Sequence, residues 1–161
     1  MPSLAESEQT RTHIALGWDE IQRDAALLAG KVTRLAPWRG IVAVARGGLV
    51  PAALVSRALG VRLVETVSVA AYQGEMLGAP QLLKAPVAAG DGAGWLVVDD
   101  LVDTGATMRI VRDLLPNAHV AVLYAKPLGR ALADSFVREF PQNCWIDFPW
   151  EMAFREEPES H

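Results

Sequence analysis

A short run of acidic residues follows an apolar stretch in the second half of the chain. Asp99 and Asp100 come directly after the apolar residues 95–98, and Asp103 follows closely. Because ligands of open α/β sheets bind at the carboxyl ends of the strands, we expect these carboxylates at that edge. Adjacent carboxylates repel anions, so the pair indicates either hydrogen bonds to sugar hydroxyls or a bound divalent cation that neutralises the charge.

The turn after these acids has the composition of a phosphate-binding site. The sequence Thr-Gly-Ala-Thr at residues 104–107 leads into a helix that we predict at residues 106–115. The start of a helix presents unpaired amides and the positive end of the helix dipole, and the threonine hydroxyls add donors. Phosphate, sugar hydroxyls and a cation together describe a ribose 5-phosphate that carries further phosphates. The alternative is that Asp103 only caps the helix, which is the more common role of an isolated aspartate.

Two other segments end at the same predicted edge. The sequence Arg-Gly-Gly at residues 46–48 follows the apolar residues 41–45, and Lys126 ends the predicted strand 119–126. Paired glycines commonly serve only turn geometry, and a lysine at a strand end is often a solvated charge. An ammonium group donates hydrogen bonds and never accepts them, so a lysine that faces a bound ring would select a carbonyl over an amine.

Strands and helices alternate along the chain and must position these residues. Apolar side chains recur at helical spacing after Asp19, and Gly60 ends a second predicted helix. This alternation implies a parallel sheet with right-handed crossovers. The predicted strands are residues 41–45, 61–69, 95–99, 119–126 and the candidate 136–140; the predicted helices are residues 19–35, 49–59 and 106–115; residues 70–94 and 144–154 are predicted to be irregular.

Length and composition indicate one globular domain. The chain has 161 residues, of which we expect residues 1–13 to fray and residues 155–161 to form an acidic tail. Its 15 Lys and Arg against 19 Asp and Glu argue against nucleic acid as a partner, because counterion release needs clustered cations. No apolar stretch approaches a membrane span, no secretory signal is visible, and the single Cys144 cannot form an internal disulfide. We therefore expect a cytoplasmic protein, and a local apolar edge is compatible with peripheral attachment to the inner face of the inner membrane.

From Trp18 to Met152 the chain resembles bacterial xanthine-guanine phosphoribosyltransferases, a group of type I phosphoribosyltransferases. The run 96–107 resembles the phosphoribosyl pyrophosphate signature of that fold, and Ala106 stands where relatives often have a second glycine. The other matching stretches are residues 43–51, residues 125–127 with Gly129-Arg130, and Trp145-Ile146 with Pro149-Trp150. The resemblance implies an α/β fold whose central, mostly parallel sheet is flanked by helices and carries a small hood region.

The resemblance also implies a reaction. The 5-phosphoribosyl group of phosphoribosyl pyrophosphate would pass, with Mg²⁺, to N9 of xanthine or guanine, and more weakly of hypoxanthine. The products would be XMP, GMP or IMP and pyrophosphate. Relatives of this type assemble as dimers or tetramers, so we expect a homo-oligomer. A hypoxanthine-preferring enzyme is one alternative, and a non-catalytic nucleotide sensor on the same fold is another.

The resemblance assigns roles to individual residues. Asp103 would be the catalytic group, which accepts the N7 proton of the base, and Asp100 would bind the metal. A cis peptide is expected between Arg46 and Gly47. The residues implied to bind phosphoribosyl pyrophosphate or nucleotide are Arg46, Gly47, Asp99, Asp100, Asp103, Thr104, Gly105, Ala106 and Thr107. Those implied to bind the base are Asp103, Lys126, Trp145 and Ile146, with Trp145 as the stacking face.

The long loop is where the sequence departs from these relatives. Residues 70–72 read Ala-Ala-Tyr where relatives have Ser-Ser-Tyr or Ser-Tyr, and residues 73–81 lack the basic residue expected to grip pyrophosphate. Lys84 is the nearest cation and a candidate for replacing that contact. We expect the loop at residues 70–83 to be mobile and to close over the site, which would exclude water from it.

Overall fold

A six-stranded sheet forms the centre of the computed structural model, which describes residues 11–71 and 79–152. In the order of neighbours, its strands are β4 (Pro80–Lys84), β3 (Val64–Ala71), β2 (Gly40–Ala45), β5 (Trp95–Val102), β6 (His119–Ala125) and β7 (Ser135–Glu139). Every neighbouring pair is parallel except β3 with β4, which is antiparallel. The prediction of a mostly parallel α/β sheet is confirmed.

Alternate residues of the central strands pack on opposite faces of the sheet. Ile41 of β2 faces a core formed with α1 (Trp18–Thr33) and α2 (Leu49–Leu59). Val42 faces a second core formed with α3 (Ala106–Leu114). A strand with helices on both sides must be apolar at every position, which explains the continuous apolar run of β2. None of the described helices has the length and apolar character that a membrane span needs.

A second sheet consists of two short parallel strands. β1 (Thr12–Ala15) pairs with β8 (Cys144–Asp147), and α4 (Pro149–Met152) follows β8. In β8, Trp145 is exposed and Ile146 is buried, which is the alternation of a strand. The pairing places the start of the described chain against the segment that carries both of these predicted site residues.

This second sheet differs from what the sequence predicts. Residues 1–13 are expected to fray, yet residues 12 and 13 belong to β1. Residues 144–154 are predicted to be irregular, yet they contain β8 and α4. Strands this short give little periodic signal, and β1 and β8 find their partners at opposite ends of the chain. Residues 1–10 and 153–161, which include the predicted acidic tail, lie outside the described residues.

Two boundaries in the central sheet also differ from the prediction. Strand β5 continues past residue 99, because its last residues pair with the end of β6, so Asp100 lies within the strand. The predicted loop 70–94 contains β4 and a 3₁₀ turn at Val87–Ala89. An outer strand such as β3 offers unpaired backbone groups, and β4 satisfies them. Residues 72–78 of the predicted mobile loop lie outside the described residues, so its closure stays a prediction.

Candidate active site

Three strands of the central sheet end at one edge and bring predicted site residues together. The turns after β2, β5 and β6 carry Gly47, Asp103 and Lys126. Two cavities lie along this edge, one of about 270 Å³ and one of about 220 Å³. Asp100, Leu101 and Asp103 line both cavities, so the two adjoin and share a wall.

The larger cavity contains the turn that joins β5 to α3. Gly105 has a φ of 92°, a left-handed conformation that glycine adopts readily, and a Cβ there would lie 2.5 Å from Leu132 Cδ1. Among the described residues, no side-chain hydrogen bond from the N-cap Gly105 caps α3, so the first amides of this helix remain largely available to a ligand. Thr104 Oγ1 accepts only a long hydrogen bond, 3.4 Å, from the Ala106 amide. The amides and hydroxyls of this turn can therefore receive an anion such as phosphate.

Asp99 and Asp100 are adjacent acidic residues that line the larger cavity. Asp99 is buried, and its Oδ1 accepts a hydrogen bond of 2.8 Å from the Asp100 amide. Burial is the main cause that raises the pKa of Asp99 well above its usual range, and the charge of Asp100 is the second cause. Burial also raises the pKa of Asp100, to about 6. Within the described part of the chain, neither carboxylate has a cationic partner. Such an oxygen donor pair suits a hard divalent ion such as Mg²⁺.

Gly47 and Gly48 allow the turn after β2 to approach these acids. A Cβ atom on Gly47 would lie 2.8 Å from Asp100 Cγ and 2.9 Å from its Oδ1. A Cβ atom on Gly48 would lie 2.6 Å from the Val98 carbonyl oxygen and 2.7 Å from that of Val44. These separations are shorter than van der Waals contact, so a side chain at either position would require its neighbours to move.

The turn after β2 differs from its predicted form at one bond. The cis peptide joins Ala45 to Arg46, whereas the resemblance implies Arg46–Gly47. Ala45 is the last residue of β2, and the Gly48 amide already donates to the Val44 carbonyl at 2.8 Å. The Arg46 side chain is exposed.

The smaller cavity combines a buried cation with an aromatic face. Lys126 is only 3% exposed, and its Nζ lies 3.2 Å from Asp103 Oδ2. Trp145 is 45% exposed although it is a large apolar side chain. A flat ring with a hydrogen-bond acceptor suits these groups. The remaining lining residues are Asp100, Leu101, Ile146, Phe148 and Glu151.

Comparison with known proteins agrees with this arrangement. Residues 17–157 match the family described as phosphoribosyl transferase domain. The chain belongs to this phosphoribosyltransferase family. The family resemblance and the type I fold predicted from the sequence are confirmed.

Three known proteins are similar to this phosphoribosyltransferase over most of its length. A xanthine-guanine phosphoribosyltransferase from Gluconobacter oxydans (strain 621H) is 51% identical over 151 residues, which cover 92% of this chain and 90% of the relative. One of the same name from Nitratidesulfovibrio vulgaris (strain DP4) is 45% identical over 149 residues, again covering 92% and 90%. The crystal structure of a purine phosphoribosyltransferase from Pyrococcus horikoshii Ot3 shows 31% identity and a TM-score of 0.74, covering 92% of this chain and 97% of that one.

The predicted site residues of this phosphoribosyltransferase gather at the two cavities. Arg46 is exposed beside them, in the same turn as Gly47. The larger cavity is lined by Gly47, Asp99, Asp100, Asp103, Thr104, Gly105, Ala106 and Thr107, and the smaller one by Asp100, Asp103, Lys126, Trp145 and Ile146.

Lys84 lies away from this edge. Its Nζ is 2.6 Å from Glu65 Oε1 and 2.9 Å from the Thr66 carbonyl oxygen, near the amino end of β3. The hydrogen bond from Lys84 is the main cause that lowers the pKa of Glu65 to about 2. Because β4 is antiparallel to β3, it carries Lys84 back from the carboxyl end, where the cavities lie. In this structure Lys84 does not supply the missing basic contact.

Sequence reasoning missed Gln142. Its Nε2 donates to Asp103 Oδ1 at 2.6 Å, and its Oε1 accepts from the Leu128 amide at 2.9 Å. Glutamine is common in loops, and neither its type nor its spacing indicates a role. The one sequence signal that could have found it is its place just before the matching stretch Trp145-Ile146.

Proposed function

We propose that this protein transfers the 5-phosphoribosyl group of phosphoribosyl pyrophosphate to N9 of xanthine or guanine, and of hypoxanthine more weakly. The observation that carries the proposal is the pair of cavities that share Asp100 and Asp103. One has an uncapped helix start for phosphate, and the other has the buried Lys126 beside the exposed Trp145. The similarity to two xanthine-guanine phosphoribosyltransferases supports the choice of bases.

The phosphoribosyl group would occupy the larger cavity. Amides and hydroxyls of residues 104–107 would bind the 5′-phosphate, because a helix start favours anions. Asp99 and Asp100 would accept hydrogen bonds from the 2′ and 3′ hydroxyls. The backbone of Gly47 would approach the pyrophosphate, since it has no side chain to hold the substrate away from Asp100.

Magnesium fits the acidic part of this cavity. Asp99 and Asp100 offer hard oxygen ligands, and their raised pKa values show that burial opposes ionisation of the pair without a cation. We assign Asp100 to the metal shell, directly or through water, because it lines both cavities. Bound Mg²⁺ would neutralise negative charge on the pyrophosphate.

The base would occupy the smaller cavity. The Lys126 ammonium would donate to the 6-oxo group, which the three oxopurines share and adenine lacks. Trp145 would stack on the ring, and backbone groups of Trp145 and Ile146 would bind its edge. As N9 attacks C1′ and pyrophosphate leaves, Asp103 would accept the proton from N7. General-base help of this type contributes ~10² to 10⁴ in rate.

Two alternatives make different predictions. A hypoxanthine-preferring enzyme is compatible with Lys126, because an ammonium at the 6 position does not distinguish what C2 carries. A nucleotide sensor would fill the same cavities without turnover, and the net charge of −4 argues against a nucleic-acid partner for it. Assembly as a dimer or tetramer stays a prediction, as does a cytoplasmic location with or without attachment to the inner membrane.

Initial rates with four bases test the proposal. Xanthine, guanine, hypoxanthine and adenine are each supplied with phosphoribosyl pyrophosphate and Mg²⁺, and nucleotide is measured. We expect guanine and xanthine to be fastest and adenine to be at least about a hundredfold slower, because adenine leaves the buried Lys126 donor unpaired. Hypoxanthine as the best substrate would favour the first alternative. Binding of GMP without turnover of any base would contradict the proposal and favour the sensor.

A further inference from the structure

Gln142 connects three segments of the candidate active site. It precedes β8, its side-chain nitrogen donates to Asp103 Oδ1 at 2.6 Å, and its side-chain oxygen accepts from the Leu128 amide at 2.9 Å. A backbone amide only donates and a carboxylate only accepts, so these two partners fix which way the Gln142 side-chain amide points. Gln142 is half-buried.

The two carboxylate oxygens of Asp103 have different partners. Oδ1 faces Gln142, and Oδ2 lies 3.2 Å from Lys126 Nζ. Under the proposed function, on which this inference rests, Lys126 turns to the 6-oxo group of the base and Oδ2 becomes available to N7. The hydrogen bond from Gln142 is then the contact that persists on Asp103. We infer that Gln142 is a positioning residue that holds Asp103 for proton transfer.

The other end of the glutamine is held by a well-defined turn. The chain after β6 closes through two amide hydrogen bonds, of 3.1 and 2.9 Å, to the Lys126 carbonyl. The Leu128 amide lies within this turn and anchors the Gln142 oxygen. The Asp103 side chain is 46% exposed, so without Gln142 it could rotate into solvent once Lys126 is engaged by the base. The anchored amide prevents that rotation.

Two substitutions test this role. Gln142→Glu keeps an oxygen that accepts from Leu128 but places a like charge against Asp103, whereas Gln142→Met removes both hydrogen bonds. We expect each to lower kcat with guanine roughly ten- to a hundredfold, because a hydrogen bond to a charged group is lost, while the KM for phosphoribosyl pyrophosphate changes less than about twofold. Asn143→Ala, at the exposed neighbouring position, is the control and keeps the wild-type kcat. Thermal melts check that each variant is folded.

A double-mutant cycle with Asp103→Ala separates positioning from general damage. If Gln142 acts through Asp103, Gln142→Glu lowers kcat no further in the Asp103→Ala protein. A wild-type kcat for Gln142→Glu, or an equal loss in both backgrounds, would overturn the inference. An active wild type with an insensitive Gln142 overturns this inference alone. A wild type that forms no nucleotide overturns the proposed function together with it.

Discussion

Gly47 and Gly48 are adjacent, but an added methyl group would meet different kinds of neighbour at the two positions. On Gly47 it would meet the carboxylate of Asp100, at 2.8 Å from Cγ and 2.9 Å from Oδ1. That carboxylate is the end of a side chain and can move. On Gly48 it would meet the carbonyl oxygens of Val98 and Val44, at 2.6 and 2.7 Å. These oxygens belong to the backbone of the central strands, so they cannot move aside. We therefore expect Gly47→Ala to damage the site and Gly48→Ala to damage the fold.

The size of each effect follows from these contacts. The nearest atom to the added methyl group is Asp100 Oδ2, so the carboxylate must shift by roughly 1 Å in Gly47→Ala to reach an ordinary separation of 3.4 Å. A displacement of about 1 Å can cost ~10² in rate, so we expect kcat/KM for phosphoribosyl pyrophosphate to fall roughly tenfold to a hundredfold. In Gly48→Ala the backbone must shift to make room for the methyl group, which lowers the free energy of unfolding by ~1–3 kcal/mol or more. For a chain of this length that lowers Tm by about 2–12 °C.

Steady-state kinetics and thermal melts of the two variants, purified in parallel with the wild type, check this pair of predictions. Gly47→Ala should melt near the wild-type temperature while losing activity. Gly48→Ala should melt early. A Gly47→Ala enzyme with unchanged kcat/KM would refute the close approach of this turn to the substrate, and a larger loss of Tm in Gly47→Ala than in Gly48→Ala would refute the steric reasoning.

Four further predictions concern charged groups. Lys126→Met should reduce kcat/KM for guanine by roughly 10² or more through loss of the buried donor; comparable turnover by the variant would remove Lys126 from base recognition. Chelation of magnesium by EDTA should abolish turnover, and Asp100→Asn should act in the same direction; full activity in excess EDTA would contradict the charge argument. Lys84→Ala should leave the KM for phosphoribosyl pyrophosphate unchanged, and a tenfold rise would place Lys84 at the site after all. Because the folded-state pKa of Glu65 is lowered to about 2, below its ordinary 4.5, its contribution to stability is present above pH 4.5 and is lost as the pH falls toward 2. The free energy of unfolding, measured with urea across this pH range, should therefore fall less steeply with decreasing pH for Lys84→Ala than for the wild type. The same dependence on pH in both proteins would contradict the role of the ion pair.

The parts of the site that could be predicted from the sequence are built from contiguous residues. The run 96–107 contains a strand, a turn and a helix start, so its apolar residues, acids and glycine carry the whole pattern. Lys126 could be placed because it ends an apolar run that the sequence predicts as a strand. Trp145 was different, since only the family resemblance indicated its place, and its strand was not foreseen.

What could not be predicted depends on contacts between distant segments. β8 is regular because β1, from the other end of the chain, pairs with it, and neither has enough residues to show a period. Lys84 meets Glu65 because of the register of β4 against β3, which includes an irregularity between Ser68 and Val69. Gln142 and Asp103 are 39 positions apart and meet only once three turns have packed together.

A crystal structure of the protein with GMP and Mg²⁺ tests the central claim most directly, because one molecule must span both cavities. The account predicts the 5′-phosphate on the amides of residues 104–107, the guanine ring against Trp145, and its 6-oxo group within hydrogen-bond distance of Lys126 Nζ. GMP bound in another place, or bound with its phosphate and base exchanged between the two cavities, would contradict it.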